Sequence, residues 1–530
     1  MTALLTPNLT TAAQAIDVAQ DVIDAALQTI RDNGGIDANQ VVMYDVAHSA
    51  SAIATAKSCL EFAKHGDLEA TVACAFIADS LRDLNQRITG RESHFGVKRD
   101  WMAPVADFVA TFCDPAFVAS LADISVPLHL EEEFEMVADT FRRFAEEQIR
   151  PRAEHVHRTN GDVPEEIIAG LGELGVFGLS IPEEFGGFAA GGEDEYLAMI
   201  LATEALTWGS LGLGGSLITR PEILARALVA GGTQEQKERF LPRLASGELL
   251  NAVAVTEPDF GSDVANISTM ASKVEGGWVI NGTKTWCTFA ARAGVIMLLA
   301  RTDPDRSKGH RGLSVFVVEK ERGDGHGFAA AQDGSHGTGK MEGRPIDTIG
   351  YRGMHSYEIS FDNWFVPDEN LIGGEEGLGK GFYYQMAGFE NGRIQTSARA
   401  VGVMQAAYEA ALDYAKNRRV FGEMIYEYQL TQAKLGRMAV IITACRQYML
   451  DVTRMMGRGE GTLEASMSKA YVCRAAEWVT REAMQIHGGM GYAEEYAVSR
   501  YFVDARVLSI FEGADETLCL KLIGRRLIEG

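Results

Sequence analysis

Glu512 is the residue best placed to move a proton. It lies between Phe511 and Gly513 and follows an apolar run ending at Ile510. A carboxylate in such surroundings is poorly solvated, which suits a base acting on a weak carbon acid. The same residue also suits a charge at a helix N-terminus. Arg418 opens Arg418-Arg419-Val420-Phe421-Gly422, with Gln429 seven residues beyond Gly422. A guanidinium binds phosphate oxygens through its planar fork. Thr256-Glu257-Pro258-Asp259-Phe260-Gly261-Ser262-Asp263 follows an apolar strand. Its glycine and small hydroxyls leave backbone N–H groups open to an anion or a polar ring edge. Trp286-Cys287-Thr288 offers a flat aromatic face, and a hydroxyl two residues on shares its side of a strand. Gln485-Ile486-His487-Gly488-Gly489-Met490-Gly491-Tyr492 carries glycines that let a backbone approach a ligand closely. His487 within it reads as packing. Arg393, in Phe389-Glu390-Asn391-Gly392-Arg393, is a cation at a helix start. A lone strand tryptophan is more often core, and a lone Gly-Ser-Asp is more often a turn, so these assignments depend on one another.

Elements must hold these residues. Residues 1–125 read as helical: Val46, Ile53 and Leu60 repeat at seven, and Leu68, Val72 and Phe76 at four, each a stripe on one helix face. Gly66-Asp67 suits a turn between two helices, and Asn33-Gly34-Gly35 marks another break. Residues 126–250 are helical too, interrupted by the Pro182-Glu183-Glu184-Phe185-Gly186-Gly187 loop. From 251 to 367 the period changes to strands. Asn281-Gly282 signals a hairpin turn, and Gly323 to Gly343 reads as a Gly-rich loop insertion. From 368 to 530 long helices return, and short turns between them imply an antiparallel bundle. Leu68 to Ile77 echoes Leu463 to Val472. Either two Ala-rich helices match by chance, or the N-terminal segment packs like the C-terminal bundle.

The chain has 530 residues, with 49 Lys+Arg against 73 Asp+Glu, a formal charge of −24. That acidity argues against a nucleic acid or an anionic membrane as partner. The seven cysteines form no C-x-x-C pair and read as thiols in a reducing compartment. No apolar run is long enough to span a membrane. The start has neither a basic n-region nor an apolar h-region, so a cytoplasmic location is expected. No metal site is expected.

Helices, a β domain and a helical bundle in that order, together with the motifs around Thr256, Trp286, Arg418 and Glu512, resemble the acyl-CoA dehydrogenase family over residues 130–530. The resemblance does not cover residues 1–125. It implies a mostly α fold with a central β-barrel-like domain and a C-terminal four-helix bundle, plus an N-terminal helical extension. It implies an FAD cofactor. Thr256 and Ser262 would meet the flavin's pyrimidine side and diphosphate; Trp286 and Thr288 would pack on the ring and hydrogen-bond its hydride-accepting nitrogen. Arg418, Phe421 and Gln429 with Gln485, Gly488 and Gly489 would serve the FAD of a neighbouring subunit, which implies a homo-oligomer, dimer or tetramer. Glu512 would remove the α-proton of an acyl-CoA, while Glu390 and Arg393 would line its pocket. An electron-transferring flavoprotein would take the electrons. Cys287 and Ala514 depart from the family, which usually has an aliphatic residue and often a threonine there. The long N-terminus and the Gly-rich insertion point, within the family, to a short branched acyl group with a free carboxylate. Arg220, Arg352 and His355 are the cations that could meet it, though each equally suits a structural ion pair. Trp208 stands near the position where relatives acting on glutaryl-CoA carry their carboxylate-binding arginine. Other readings stay open: a dehydrogenase or oxidase of another short or branched acyl-CoA, or a non-catalytic scaffold binding acyl-CoA or flavin. The N-terminal 125 residues would cover the bundle or the acyl-CoA entrance and contribute to oligomerisation.

Overall fold

The chain packs as two units, one of residues up to Val137 with Thr396 onward, the other Ala138–Gln395. The computed structural model describes residues 6–529 apart from Asp324 and Ser335. The side chains of Arg220 and Glu390 also lie outside the described residues. Those two binding candidates are placed only by their backbone, on helices Thr219–Gly231 and Gly381–Asn417.

In the first unit, helices Leu9–Asp32, Gln40–Phe62 and Asp67–Ile88 pack on one another. Asn8 caps the first by accepting from Thr11 N, which satisfies one of the end donors a helix leaves over. Gly66 separates the other two, as its place in the sequence implies. Gln40–Phe62 is buried nearly all round, including His48, Ser51 and Thr55, so it has partners on several sides. Those partners include the long helices Gln429–Gly457 and Thr462–Ile486. The N-terminal segment thus covers the bundle. The two echoing helices meet at equivalent positions: Phe76 and Tyr471 pack edge to face with ring centroids 5.9 Å apart.

In the second unit, helices Gly192–Gly209, Thr219–Gly231 and Gln234–Ala245 accompany an eight-stranded sheet. Gln234–Ala245 starts from a capping box in which Thr233 and Gln236 satisfy each other's backbone N–H. The strands are β1 (Asn251–Ala254), β2 (Met270–Val274), β3 (Gly277–Lys284), β4 (Val295–Arg301), β5 (Leu313–Glu319), β6 (Phe328–Gly334), β7 (Gly337–Ile346) and β8 (Ser356–Pro367). Their order is β1-β4-β2-β3-β8-β7-β6, with β5 also on β4, and β1 runs parallel to β4. One core joins Ile223, Leu224, Phe240, Leu241 and Leu244 of the helices to Val295, Met297, Leu299, Val315 and Val317 of β4 and β5.

Three local readings change. Asn281-Gly282 lies inside β3, where the pairing with β8 shifts register; the β2–β3 turn is at Glu275-Gly276. Gly282 has φ 145°, and a Cβ there would come within 2.8 Å of Thr269 Cα. It is therefore a bulge glycine, where a neighbouring strand approaches closely. The Gly-rich stretch is not a bare loop: β6 and β7 form a hairpin in it, with Gly343 opposite Phe328. The Trp286 segment is a turn after β3 rather than strand, so alternation does not govern Trp286 and Thr288. Among the described residues no helix is long and apolar enough to cross a membrane.

Candidate active site

The first group of candidates sits in the Ala138–Gln395 unit and is organised by an ion pair that sequence reasoning missed. β1 ends at Ala254, and the chain continues through Thr256 to the exposed Gly261 and Ser262. The buried Glu257 carboxylate accepts from Ser268 N (2.7 Å), Ser268 Oγ (2.6 Å), Thr269 N (2.8 Å) and Lys284 Nζ (2.9 Å). Lys284, fully buried at the end of β3, also donates to Val255 O at 2.8 Å. Burial would push the Glu257 carboxyl up. The Lys284 charge and the Ser268 and Thr269 donors outweigh it and hold it at about 2. Burial pushes Lys284 down against the pull of Glu257. The pair, with Thr285 N donating to Thr256 O at 2.9 Å, ties the Thr256 segment to the Trp286 turn.

Trp286 is 54% exposed, with φ 59°. Thr288 is buried, its Oγ1 3.1 Å from Ser356 Oγ, and Cys287 exchanges backbone hydrogen bonds with Tyr357. A rigid turn thus presents a bare indole face to solvent, with exposed small residues on the tied segment. That donor set fits a flat ring with an anionic tail. A Cβ on Gly261 would meet nothing within 4 Å, so the tail has room there.

The carboxylate-binding candidates have other work. Arg352 donates to His157 O (2.7 Å) and Thr348 O (3.3 Å). His355 is buried, its Nε2 3.0 Å from Gly161 O and 3.3 Å from Asp162 Oδ1, with the His326 ring 4.1 Å away. Burial and the neighbouring His326 push His355 down, against Asp162. Arg393 is buried on Gly381–Asn417, and Gln395 on the same helix donates to Glu222, which also takes Arg226 Nε (2.8 Å). Trp208 is buried, with the guanidinium carbons of Arg142 and Arg150 3.2 and 4.0 Å from its ring centroid.

The second group lies in the other unit. Arg418 closes Gly381–Asn417 and is exposed. Arg419-Val420 and Glu423-Met424 form a two-stranded hairpin, whose turn is Phe421 (φ 52°) and Gly422 (φ 95°). Two left-handed residues match the twist of the flanking strands. Phe421 is 95% exposed, and Gln429 is exposed at the start of Gln429–Gly457. Tyr414, one turn before Arg418, stacks on His487 at 4.2 Å. That contact brings the Arg418 turn and the Gln485–Gly489 segment together. His487 is buried and bonded to Ala483 O at 2.8 Å, a packing histidine. Gly488 and Gly489 face open space, whereas a Cβ on Gly491 would lie 2.3 Å from Met484 O. Close backbone contact within the fold thus concerns Gly491.

Glu512 sits on a turn with φ 54°, followed by Gly513 at φ 101°. Asp515 N donates to Ser509 O at 3.1 Å and closes the turn. The fully buried Lys469 donates to Gly513 O, and the fully buried Arg399 stands 5.4 Å over the Phe511 ring. Sequence reasoning missed both cations; the only signal was a charge flanked by small residues within a long helix, Ala398 and Ala400 for Arg399, Ser468 and Ala470 for Lys469. Among the described residues, nine non-glycine residues have left-handed backbone. Four of them, Trp286, His355, Phe421 and Glu512, are candidates from the sequence. Such conformations persist only where the surroundings over-determine them, which favours functional positions.

Three family models match the chain: the acyl-CoA dehydrogenase N-terminal domain over residues 131–248, the middle domain over 252–364 and the C-terminal domain over 379–528. The chain is 45% identical over 402 residues to (2S)-methylsuccinyl-CoA dehydrogenase of Cereibacter sphaeroides, which covers 76% of this chain and 70% of that one. Among solved structures, a glutaryl-coenzyme A dehydrogenase in complex with glutaryl-CoA aligns with TM-score 0.67 at 30% identity, over 75% of this chain and 95% of that one. A Mycobacterium smegmatis glutaryl-CoA dehydrogenase with FADH2 aligns with TM-score 0.65 at 25% identity, over 76% and 96%.

Proposed function

Because the chain belongs to the acyl-CoA dehydrogenase family, we propose that it oxidises (2S)-methylsuccinyl-CoA to mesaconyl-CoA with FAD as its cofactor. The observation that carries the substrate is the 45% identity to a (2S)-methylsuccinyl-CoA dehydrogenase. Glu512 removes the α-proton of the thioester. The backbone N–H of Glu512 donates to the thioester oxygen as negative charge develops there. FAD, when bound, supplies the acceptor for the β-hydrogen with its electron pair. Thr256, Ser262, Trp286 and Thr288 hold the ring and its tail. Arg418, Phe421 and Gln429, with Gln485, Gly488 and Gly489, serve the cofactor of a second copy in a homo-oligomer. Arg393 and Glu390 line the acyl pocket. An electron-transferring flavoprotein takes the electrons onward. The seven free cysteines suit the reducing conditions of a cytoplasm.

The test is anaerobic bleaching of the flavinated protein by (2S)-methylsuccinyl-CoA, butyryl-CoA, isovaleryl-CoA and glutaryl-CoA in parallel. Fast bleaching by methylsuccinyl-CoA alone is expected. Faster bleaching by one of the others refutes the substrate and leaves the family chemistry intact.

A further inference from the structure

The turn carrying Glu512 is gripped from a part of the chain that no family model reaches. The models begin at residue 131, whereas Tyr44 and His48 lie on Gln40–Phe62. Four residues apart, they share one face of that helix, their rings 4.8 Å apart. Both end on the same oxygen: Tyr44 Oη donates to Asp515 Oδ2 at 2.5 Å, and His48 Nε2 lies 3.0 Å from it. Asp515 is three residues beyond Glu512, is 8% exposed, and closes the turn through its own N–H to Ser509 O. Cys519 Sγ completes the pocket, 3.4 Å from His48 Nε2.

A non-glycine residue held in left-handed backbone is strained, because its Cβ crowds the following carbonyl oxygen. An ungripped turn would relax and re-aim the carboxylate. Lys469 fixes Gly513 O and Arg399 faces Phe511, but both act before Asp515. The exit of the turn is held by Tyr44 and His48. The pair also supplies what Asp515 needs as a buried anion. Burial opposes its charge, and the His48 and Tyr44 bonds with the Arg474 charge overcome that and hold the carboxyl below its ordinary range.

We infer that the N-terminal helical segment is a positioning element for the base: Tyr44 and His48, through Asp515, fix the backbone from which Glu512 projects. The inference rests on Glu512 being the base.

The test compares Tyr44→Phe, His48→Leu and their combination with His48→Gln, whose side-chain amide can donate where His48 Nε2 does. Each flavinated protein is assayed with whichever acyl-CoA bleaches the flavin fastest, for kcat, KM, flavin content and the isotope effect of α-deuterated substrate. The combined variant should lose about ten- to a hundredfold in kcat, the scale of a misplaced catalytic group. KM and flavin content should stay within about twofold, the isotope effect should rise, and His48→Gln should recover most of the rate. A combined variant that melts earlier but turns over normally at a temperature where it is folded refutes the inference. So does a KM rise that accounts for the whole loss. If the combined variant does not fold, Tyr44→Phe alone, read by the same split, decides. Glu512→Gln separates the two layers: turnover surviving Glu512→Gln refutes the base itself. Turnover lost in Glu512→Gln but normal in the Tyr44 and His48 variants refutes only the positioning role.

Discussion

Replacing Lys284 with methionine keeps the side chain's bulk and removes the charge that compensates Glu257. In the native protein Glu257 titrates at about 2, against an ordinary value near 4.5. That depression is worth about 3 kcal/mol of stability at neutral pH. Lys284 is itself pushed down by burial, so the ammonium's desolvation takes back part of this gain and about 3 kcal/mol is the upper end for the pair. Removing one partner of a buried pair costs about 3–5 kcal/mol by general experience. Three donors, Ser268 N, Ser268 Oγ and Thr269 N, remain to the carboxylate, which favours the lower figure. A loss of about 3 kcal/mol in a unit of this size lowers Tm by about 6–12 °C. The folded value of Glu257 lies below the unfolded one. Its contribution is therefore complete above about pH 4.5 and is lost as pH falls toward 2. The gap between the parent protein and Lys284→Met should shrink to less than half between about pH 7 and pH 3. Calorimetry, with flavin fluorescence to follow cofactor release, reads both. The double variant Lys284→Met/Glu257→Gln, which leaves no uncompensated charge, should regain most of the loss. A melting temperature within about 2 °C of the parent at neutral pH, or a gap independent of pH, refutes the reasoning.

Glu512→Gln should keep its flavin and its fold and lose about 10²–10⁴ in flavin reduction rate by acyl-CoA, read by stopped-flow absorbance. Arg352→Met should lower thermal stability by about 1–3 kcal/mol, since it orphans the His157 and Thr348 carbonyls. It should leave the preference between methylsuccinyl-CoA and neutral acyl-CoAs unchanged, and a switched preference would return Arg352 to the pocket. Gly491→Ala should destabilise by about 1–3 kcal/mol, because its Cβ would press on Met484 O, as a urea titration would show. Burial pushes Cys287 up to about 12 and Cys113 up to about 11. Alkylation of the native protein near neutral pH should therefore be slow and begin at the half-buried Cys113. All seven thiols should react only in denaturant.

Much of the local architecture was legible in the residues. Apolar spacing at Leu68, Val72 and Phe76 marks a helix face, and Gly66 the break before it, because a helix buries a stripe with its own period. The β region is legible from the change to strand period over residues 251–367. The Gly-rich segment and Asn281-Gly282 misled for one reason. Glycine signals conformational freedom, and only the neighbouring strand decides whether that freedom serves a turn, a bulge or a close approach. Candidate residues such as Glu512, Trp286 and Arg418 were legible because their motifs are contiguous in the chain.

The groups that hold those residues are not contiguous, and the sequence alone left them unmarked. Lys284 meets Glu257 across 27 positions, Lys469 meets Gly513 across 44, and Tyr44 and His48 meet Asp515 across 471 and 467. A charge buried by tertiary packing needs a partner at hydrogen-bond distance, and no local period encodes which distant residue that partner is. The sequence by itself thus determined the elements, their order and the candidate side chains. The tertiary structure decided which buried charges pair and what fixes the turn at Glu512. It also turned Arg352 and His355 toward main-chain carbonyls, because desolvated polar groups take whatever partner the fold brings within reach.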